Sequence, residues 1–556
     1  MYTKVARTFG ELGIEFNTDQ QVLSKYAVDE SVFSVMPQMV VLPKSTQEVQ
    51  SIVRTVRDYT KDYPKISLTV RGAGTGLSGG SLNDSIIMDV QHLDSLGKVE
   101  GDFITSGPGR YYRDIHAQLE ESGMYFPPYP SSWRICTIGG MVANDAAGPN
   151  SLKYGHTSNF VHSLEVVLND GGLYMVEPLS YTQLQEAIEK GDRLSEIYEF
   201  LWSNLETNYE FIKNTKPESS KNTSGYELWD VLKASSLEAF KSGDGTFNAI
   251  HAFCGSQGTL GIITNITLQL IEKPQHSDLL IVPIYELDTM GQIIIELLKY
   301  KPYNIELFDK RSYELARSHQ DFFKDFFEIK KDFSVFKKNL KRVHRKLFKS
   351  KAPQFTLMVL FDAYTQDQAN LIAHKALDTV SGKNRRAQLV KHEGMKDVLW
   401  RIRGSSYSLA KLTPENDRPA AFLEDIVVPP EQIPTFLEQV QKKLAEYGLS
   451  YAVHGHGGNG HFHFYPLFDF TDEKTPERIF TIAQDFYKMA QEFGGNICGE
   501  HNDGIMRTPF MPLQFSEPEI ELFRRFEHVC DPEDIFNPGK KVNPKFDIRG
   551  SIRITN

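Results

Sequence analysis

The stretch 453-VHGHGGNGHFHFYP-466 sets His454, His456, His461 and His463 within ten residues, a quarter of the 16 histidines in the chain. Imidazole can ligate a metal, act as a base near neutral pH, or simply pack on a strand. The intervening glycines allow a tight turn that brings two strand ends together. Residue types alone leave a metal centre, a catalytic base and a histidine-rich strand all open.

Three glycine-rich runs suggest a second chemistry: 70-VRGAGTGLSGGSL-82, 137-TIGGMVANDAAG-148 and 255-GSQGTLGIITNITLQL-270. Without Cβ atoms, successive backbone N–H groups can converge on an anion, and Thr75, Ser78 and Ser81 add hydroxyls. The first run lacks the G-K-[ST] of a P-loop, and 86-IIMDV-90 after it reads as strand, not the helix a Rossmann fingerprint opens. One such loop is as readily a structural turn. Three fit backbone laid along an extended, phosphate-bearing dinucleotide.

The positioning elements alternate. Strands are expected at 40–42, 66–70 and 86–90, with a helix over 46–59 capped by Ser45 and Glu48 at its third position. The second and third glycine runs are expected to precede strand-like or tightly packed segments. From about 274 the pattern changes: strands at 279–284, 305–308, 355–361, 421–428 and 450–453, and helices at 288–299, 368–380 and 433–447. This rhythm predicts an antiparallel sheet with helices on one face. Between Lys330 and Lys351 lie ten lysines and arginines against one acid, with Phe333, Phe336, Leu340, Val343 and Leu347 at helical spacing. That is a solvated basic face over a core stripe, or a docking surface for an anionic membrane or acidic partner.

A chain of 556 residues exceeds one ordinary core, and its net charge of −11 argues against nucleic acid as a partner. Cys136, Cys254, Cys498 and Cys530 form no C-x-x-C, which argues against an iron–sulfur cluster or zinc ribbon and for a reducing compartment. The first residues lack the apolar run of a signal peptide, so a cytoplasmic location is expected, with peripheral contact on the inner membrane face still open.

The ordered set RGAGTGLSGGSL, TIGGMVANDAAG with 153-KYGHT-157, GSQGTLGIIT, the histidine stretch, 499-GEHNDG-504 and 531-DPEDIFNPGK-540 resembles the FAD-dependent D-2-hydroxyacid dehydrogenases over nearly the whole chain. The resemblance implies an α+β fold. A two-part FAD-binding domain of vanillyl-alcohol-oxidase/PCMH type would span 1–274, an α+β substrate domain with an antiparallel sheet 275–498, and 499–556 would complete both. It places Arg71, Gly72, Ala73, Gly74, Thr75, Gly76, Ser78, Gly79 and Ser81 at the FAD diphosphate. Thr137, Gly139, Gly140 and Asn144, with Gly148 and Tyr154 nearby, would line the flavin ring and ribityl chain. Gly258, Gly261 and Ile263 would pack on the adenine half, and Asn537 would return to the flavin. Thr75 stands about where some relatives tether FAD through histidine, so non-covalent FAD is expected; Gln257 replaces the usual glutamate.

The same resemblance makes His456, His463 and Glu500 ligands of a divalent metal, zinc or manganese, and His501 the base. Such an ion lowers the pKa of a hydroxyl, so that a neutral histidine can take its proton. Arg403, in a W-x-x-R motif, would grip the substrate carboxylate. Lys411 and Arg507 are weaker candidates for a second anion, Arg401 is expected in solvent, and Asp425 is read as structural. His454 and His461 are expected to face elsewhere or to lie behind the ligands. The implied reaction is oxidation of a small 2-hydroxy acid (D-lactate, glycolate or D-2-hydroxyglutarate). Electrons would pass to a quinone, a cytochrome or a separate iron–sulfur subunit. A homodimer is compatible with the sequence. Oxidation of another alcohol, NADPH-dependent reduction on the same fold, and a non-catalytic FAD-binding electron-transfer subunit remain alternatives.

Overall fold

The computed structural model describes residues 1–412 and 417–554. Helix Thr46–Thr60 starts where the Ser45 side chain accepts from the Glu48 N–H, and it buries Val49, Ile52, Val53 and Val56. That spacing keeps one apolar stripe inward. The helix links two strands, Met39–Val41 and Leu68–Arg71, that flank Ile86–Asp89 in parallel register. The C-terminal tail joins this sheet: Leu68 N–H donates to Ile535 O at 2.7 Å and Asn537 N–H to Leu68 O at 2.9 Å. A second, antiparallel sheet runs Phe103–Ser106, Ile262–Gln269, Val161–Val167, Leu173–Val176.

A larger antiparallel sheet carries the histidines. Its central order is His276–Ile284, Phe355–Ala363, Asn304–Asp309, Tyr451–His456, His461–Asp469, and Leu423–Val427 also pairs with the last strand. Helices cover both of its faces, not one as expected. Leu280, Val282 and Leu357 meet helices Met290–Leu298, Gln366–Ser381, Ile433–Glu446 and Thr475–Glu492. Leu279, Ile281 and Met358 meet helices Lys310–Ser318, Phe333–Lys346 and Glu393–Ala410. The reason lies in 279-LLIVPI-284, which is apolar at successive positions; such a strand needs cover on both sides.

The second glycine-rich run, expected as a loop that precedes a strand-like or tightly packed segment, is itself helical over Ile138–Asn144. It buries Ile138, Met141 and Val142, a helical spacing that the two preceding glycines obscured. In the basic segment, helix Phe333–Lys346 buries Phe336, Leu340 and Val343 and leaves Lys337, Lys338, Lys341, Arg345 and Lys346 exposed. The four cysteines are buried and free. Among the described residues no helix is long and apolar enough to cross a membrane.

Candidate active site

Strands Tyr451–His456 and His461–Asp469 form a hairpin in which His454 pairs with His463 and His456 with His461. Directly opposed residues share a face, so all four rings lie on one side of the sheet. Gly460 closes the turn with φ +63°, where a Cβ would sit 1.9 Å from Val428 O. Of the two expectations for His454 and His461, facing elsewhere is excluded, and both rings lie on the face of the cluster.

Three of the imidazoles, His456, His461 and His463, are fixed from outside the cluster, while His454 Nδ1 has no partner. Glu306 lies opposite His456 in the neighbouring strand, and its Oε1 accepts from His456 Nδ1 at 2.6 Å. His463 Nδ1 donates to the Glu424 carbonyl. The inner Nε2 atoms of His456 and His463 then face Glu500 Oε1 at 3.2 and 3.4 Å. Burial, then neighbouring His461, holds the His463 pKa well below its ordinary value, so that ring is neutral. Glu500 is ionised: burial would raise its pKa, but Lys221, His456 and His461 hold it well below the usual range. For His463, a bare Nε2 aimed at the Glu500 carboxylate oxygen, with no proton between, is unfavourable until a cation joins them. The donor atoms of His456, His461, His463 and Glu500 lie within 4.8 Å of one another. The donor set therefore fits a divalent metal, and each histidine has the outer oxygen partner that metal-bound imidazoles use.

Glu424 and Asp425 are consecutive, yet both reach this site. A register shift between Leu423 and Ile426 breaks the strand's alternation and turns both carboxylates inward. Asp425 accepts from the backbone N–H of Glu500 at 2.8 Å and of His501 at 2.9 Å. Glu424 Oε1 lies 3.3 Å from His501 Nδ1 and also takes Arg507 Nη2 at 2.5 Å. Burial would lower the His501 pKa, but Asp425 and Glu424 outweigh it and hold it above the ordinary value. His501 Nε2 points inward, 3.6 Å from Glu500 Oε1, and the side chain retains 18% exposure.

Arg403 lies on helix Glu393–Ala410 and is buried. Its Nη2 is 2.7 Å from Glu306 Oε2, yet neither atom is aligned for a hydrogen bond, and Arg403 Nε also lacks an acceptor. The contact is an ion pair without hydrogen-bond alignment. A buried guanidinium with unfilled donors is costly without an anion to receive them. Arg507 is engaged inside the chain through Nη1 to Asn502 O and Nη2 to Glu424, which leaves only Nε without a partner. Arg401 pairs with Asp397 at 2.8 Å, and Lys411 is exposed over the Tyr407 ring.

The glycine-rich runs meet at one place. A Cβ on Gly72 would lie 2.2 Å from Thr137 Oγ1, which is buried without a partner. Gly139 abuts Pro108, Gly148 abuts Tyr129 O, Gly261 abuts Val166, and Gly258 approaches Val70. Gly74 and Gly79 take positive φ, while Ala73, Thr75 and Gly76 form the outer part of the loop, with open space at Gly76. Ile263 pairs with Val166. The orphaned Thr137 hydroxyl and the Cβ-free walls fit a flat cofactor.

Several side chains expected at FAD are hydrogen-bonded within the chain. Arg71 Nη2 donates to Val28 O at 2.8 Å, Ser81 Oγ to Asp29 at 3.2 Å, and Ser78 Oγ to His501 O at 3.0 Å. Asn537 accepts from Thr69 at 2.7 Å and donates to Gly80 O and Gln257 O, so its amide is fully used. Gln257 Oε1 receives Gly504 N–H at 2.8 Å. These residues shape the loops and tie them to the 499–504 segment. Asn144 Nδ2 reaches Glu500 O at 2.8 Å, and Tyr154 O–H donates to Asp362 at 3.3 Å, so both bridge to the histidine sheet.

Sequence reasoning missed Glu306, Glu424 and Lys221. Glu306 had a signal: an acid between apolar residues in the middle of the buried strand Asn304–Asp309. Glu424 sat beside Asp425 in the quoted motif. Lys221, buried in a loop with Nζ 2.5 Å from Glu500 Oε2, had none.

Residues 37–177 match the family described as FAD binding domain, and 273–541 match FAD linked oxidases, C-terminal domain. The chain is 27% identical over 537 residues to a D-2-hydroxyglutarate dehydrogenase of Pseudomonas putida, covering 95% of this chain and 50% of that protein. It is 25% identical to glycolate oxidase subunit GlcD of Bacillus subtilis, covering 91% and 89%. It spans about half the length of the first of these relatives. The p-cresol methylhydroxylase structure shares the fold, with TM-score 0.64, 14% identity, and 97% and 96% of the two chains covered.

Proposed function

We propose that this chain, which belongs to the FAD-linked oxidases by the matches to both its domains, oxidises a small D-2-hydroxy acid to the 2-oxo acid. Bound FAD would supply the hydride acceptor, and a zinc or manganese ion would acidify the substrate hydroxyl. His456, His463 and Glu500 would hold the ion. The unfilled Arg403 donors receive the substrate carboxylate. His501, oriented through Nδ1 by Glu424, offers Nε2 to the hydroxyl proton. FAD is non-covalent in this reading, since Thr75 offers no tether.

The observation that carries the reading is the meeting of unfilled Arg403 donors with a base and a three-donor cation site on one sheet face. A sugar or lactone oxidase needs no such carboxylate grip. The test is flavin bleaching under anaerobic conditions by a panel of D- and L-2-hydroxy acids, with metal analysis of the same sample. Bleaching by a D-acid is expected; bleaching only by sugars or lactones, or by nothing, ends the proposal.

Electrons would leave to a quinone, a cytochrome or a separate iron–sulfur subunit, with the basic helix Phe333–Lys346 as the docking face. Its packing against the Arg403 helix supports this placement. Charge neutralisation there should leave dye-linked turnover unchanged and slow turnover with the natural acceptor.

A further inference from the structure

The cluster offers four metal-binding side chains, but Lys221 removes donor atoms from two of them. Its Nζ donates to Glu500 Oε2 at 2.5 Å and lies 3.4 Å from His461 Nδ1. The His461 tautomer follows from its partners. Asp425 Oδ1, which accepts, sits 2.9 Å from His461 Nε2. A ring nitrogen hydrogen-bonded to a carboxylate carries the proton, so the His461 ring donates from Nε2. Its lone pair is then on Nδ1, where the Lys221 ammonium, which can only donate, already sits.

We propose that Lys221 sets the donor count of this site, holding it at three protein atoms: His456 Nε2, His463 Nε2 and Glu500 Oε1. The proposal rests on the metal reading above. With Oε2 engaged, Glu500 can offer one oxygen only; with Nδ1 engaged, His461 can offer nothing. Three protein donors leave room for substrate, as catalytic zinc sites do, whereas four make a closed, structural site. Lys221 is thus a positioning residue. The chain holds it in place by donating Asn496 Nδ2 to Lys221 O at 2.9 Å and Ser220 Oγ to Asn459 O, in the hairpin turn, at 2.6 Å.

The experiment is a double-variant cycle on the FAD-loaded protein with zinc affinity as readout, using Lys221→Met, His461→Gln and their combination. In the wild-type background His461→Gln should change zinc affinity less than about threefold. Lys221→Met should tighten zinc by tenfold or more, since it frees two donors and removes a cation. Adding His461→Gln to Lys221→Met should cancel a large part of that gain, because His461 has become a ligand there. Equal weakening by His461→Gln in both backgrounds means His461 is already a ligand, and overturns the proposal. No effect in either background overturns it too. If Lys221→Met does not fold, a loss of affinity of tenfold or more for His461→Gln in the otherwise native protein does the same. Absence of zinc and manganese binding by the native protein defeats the metal reading, and this proposal with it.

Discussion

The histidine hairpin and the glycine-rich cradle solve opposite problems. Around Glu500 the chemistry is made by side chains, each buried and held by another: Glu306 on His456, Glu424 on His501, Asp425 on His461, Lys221 on Glu500. Around Gly72 and Thr137 it is made by backbone, and what matters is which atoms are missing. One region should therefore be destroyed by removing a functional group, the other by adding a methyl.

The largest effect should come from Glu500→Gln. Losing the central charge leaves Lys221 buried without its counter-ion and strips the cation site of its only carboxylate. Turnover should fall at least 10³-fold, a size expected for loss of a metal-assisted step, while the flavin absorbance of the purified protein stays. Loss of flavin along with activity would show that the two regions are not separable.

Arg403→Lys should come next. Lysine keeps the charge but not the fork, so KM should rise by roughly 100-fold, about 2–3 kcal/mol, with kcat changed less. A drop in kcat at constant KM would move Arg403 out of the carboxylate-binding role.

Gly72→Ala probes the other region. Its Cβ would meet Thr137 Oγ1 at 2.2 Å, so FAD binding should weaken about tenfold through roughly 1–3 kcal/mol of overpacking. Zinc binding at the hairpin should hold. Retention of FAD at native affinity would remove that wall from the cradle.

The smallest effect concerns the tail that joins the cradle sheet. Burial raises the Asp531 pKa to about 8 and lowers that of Lys540 to about 7. Asp531 binds its proton more tightly when folded, so its contribution is full below pH ~4 and fades as pH rises to about 8. Lys540 binds its proton less tightly when folded, so its contribution is full above pH ~10.4 and fades as pH falls to about 7. The tail should be weakest near neutral pH. Asp531→Asn should flatten the acid side of the thermal-unfolding profile, and an unchanged profile would count against the carboxyl as its source.

Much of the cradle was legible because glycine runs report backbone geometry locally. What could not be read there was which polar residues were already taken. Asn537 and Ser78 carry groups suited to a cofactor, and the fold spends them on Gly80, Gln257 and His501. His456 and His463, and separately Glu500 and His501, could be named because two short motifs that carry the family resemblance contain them. Their partners could not, because Glu306, Glu424 and Lys221 arrive from a distant strand, a strand irregularity and a loop.

By itself the sequence determined the kinds of chemistry present and the two-part build: three glycine runs that need close backbone approach, and four histidines about one turn. It did so because turn geometry and residue type are local properties. Only the tertiary structure decided that all four rings share a face, that His461 is bonded on both nitrogens, and that Arg403 keeps Nε and Nη2 without hydrogen-bond acceptors while both terminal nitrogens of Arg507 are engaged. Strand register and loop packing set those facts, because a buried polar group is defined by what long-range contacts leave it without.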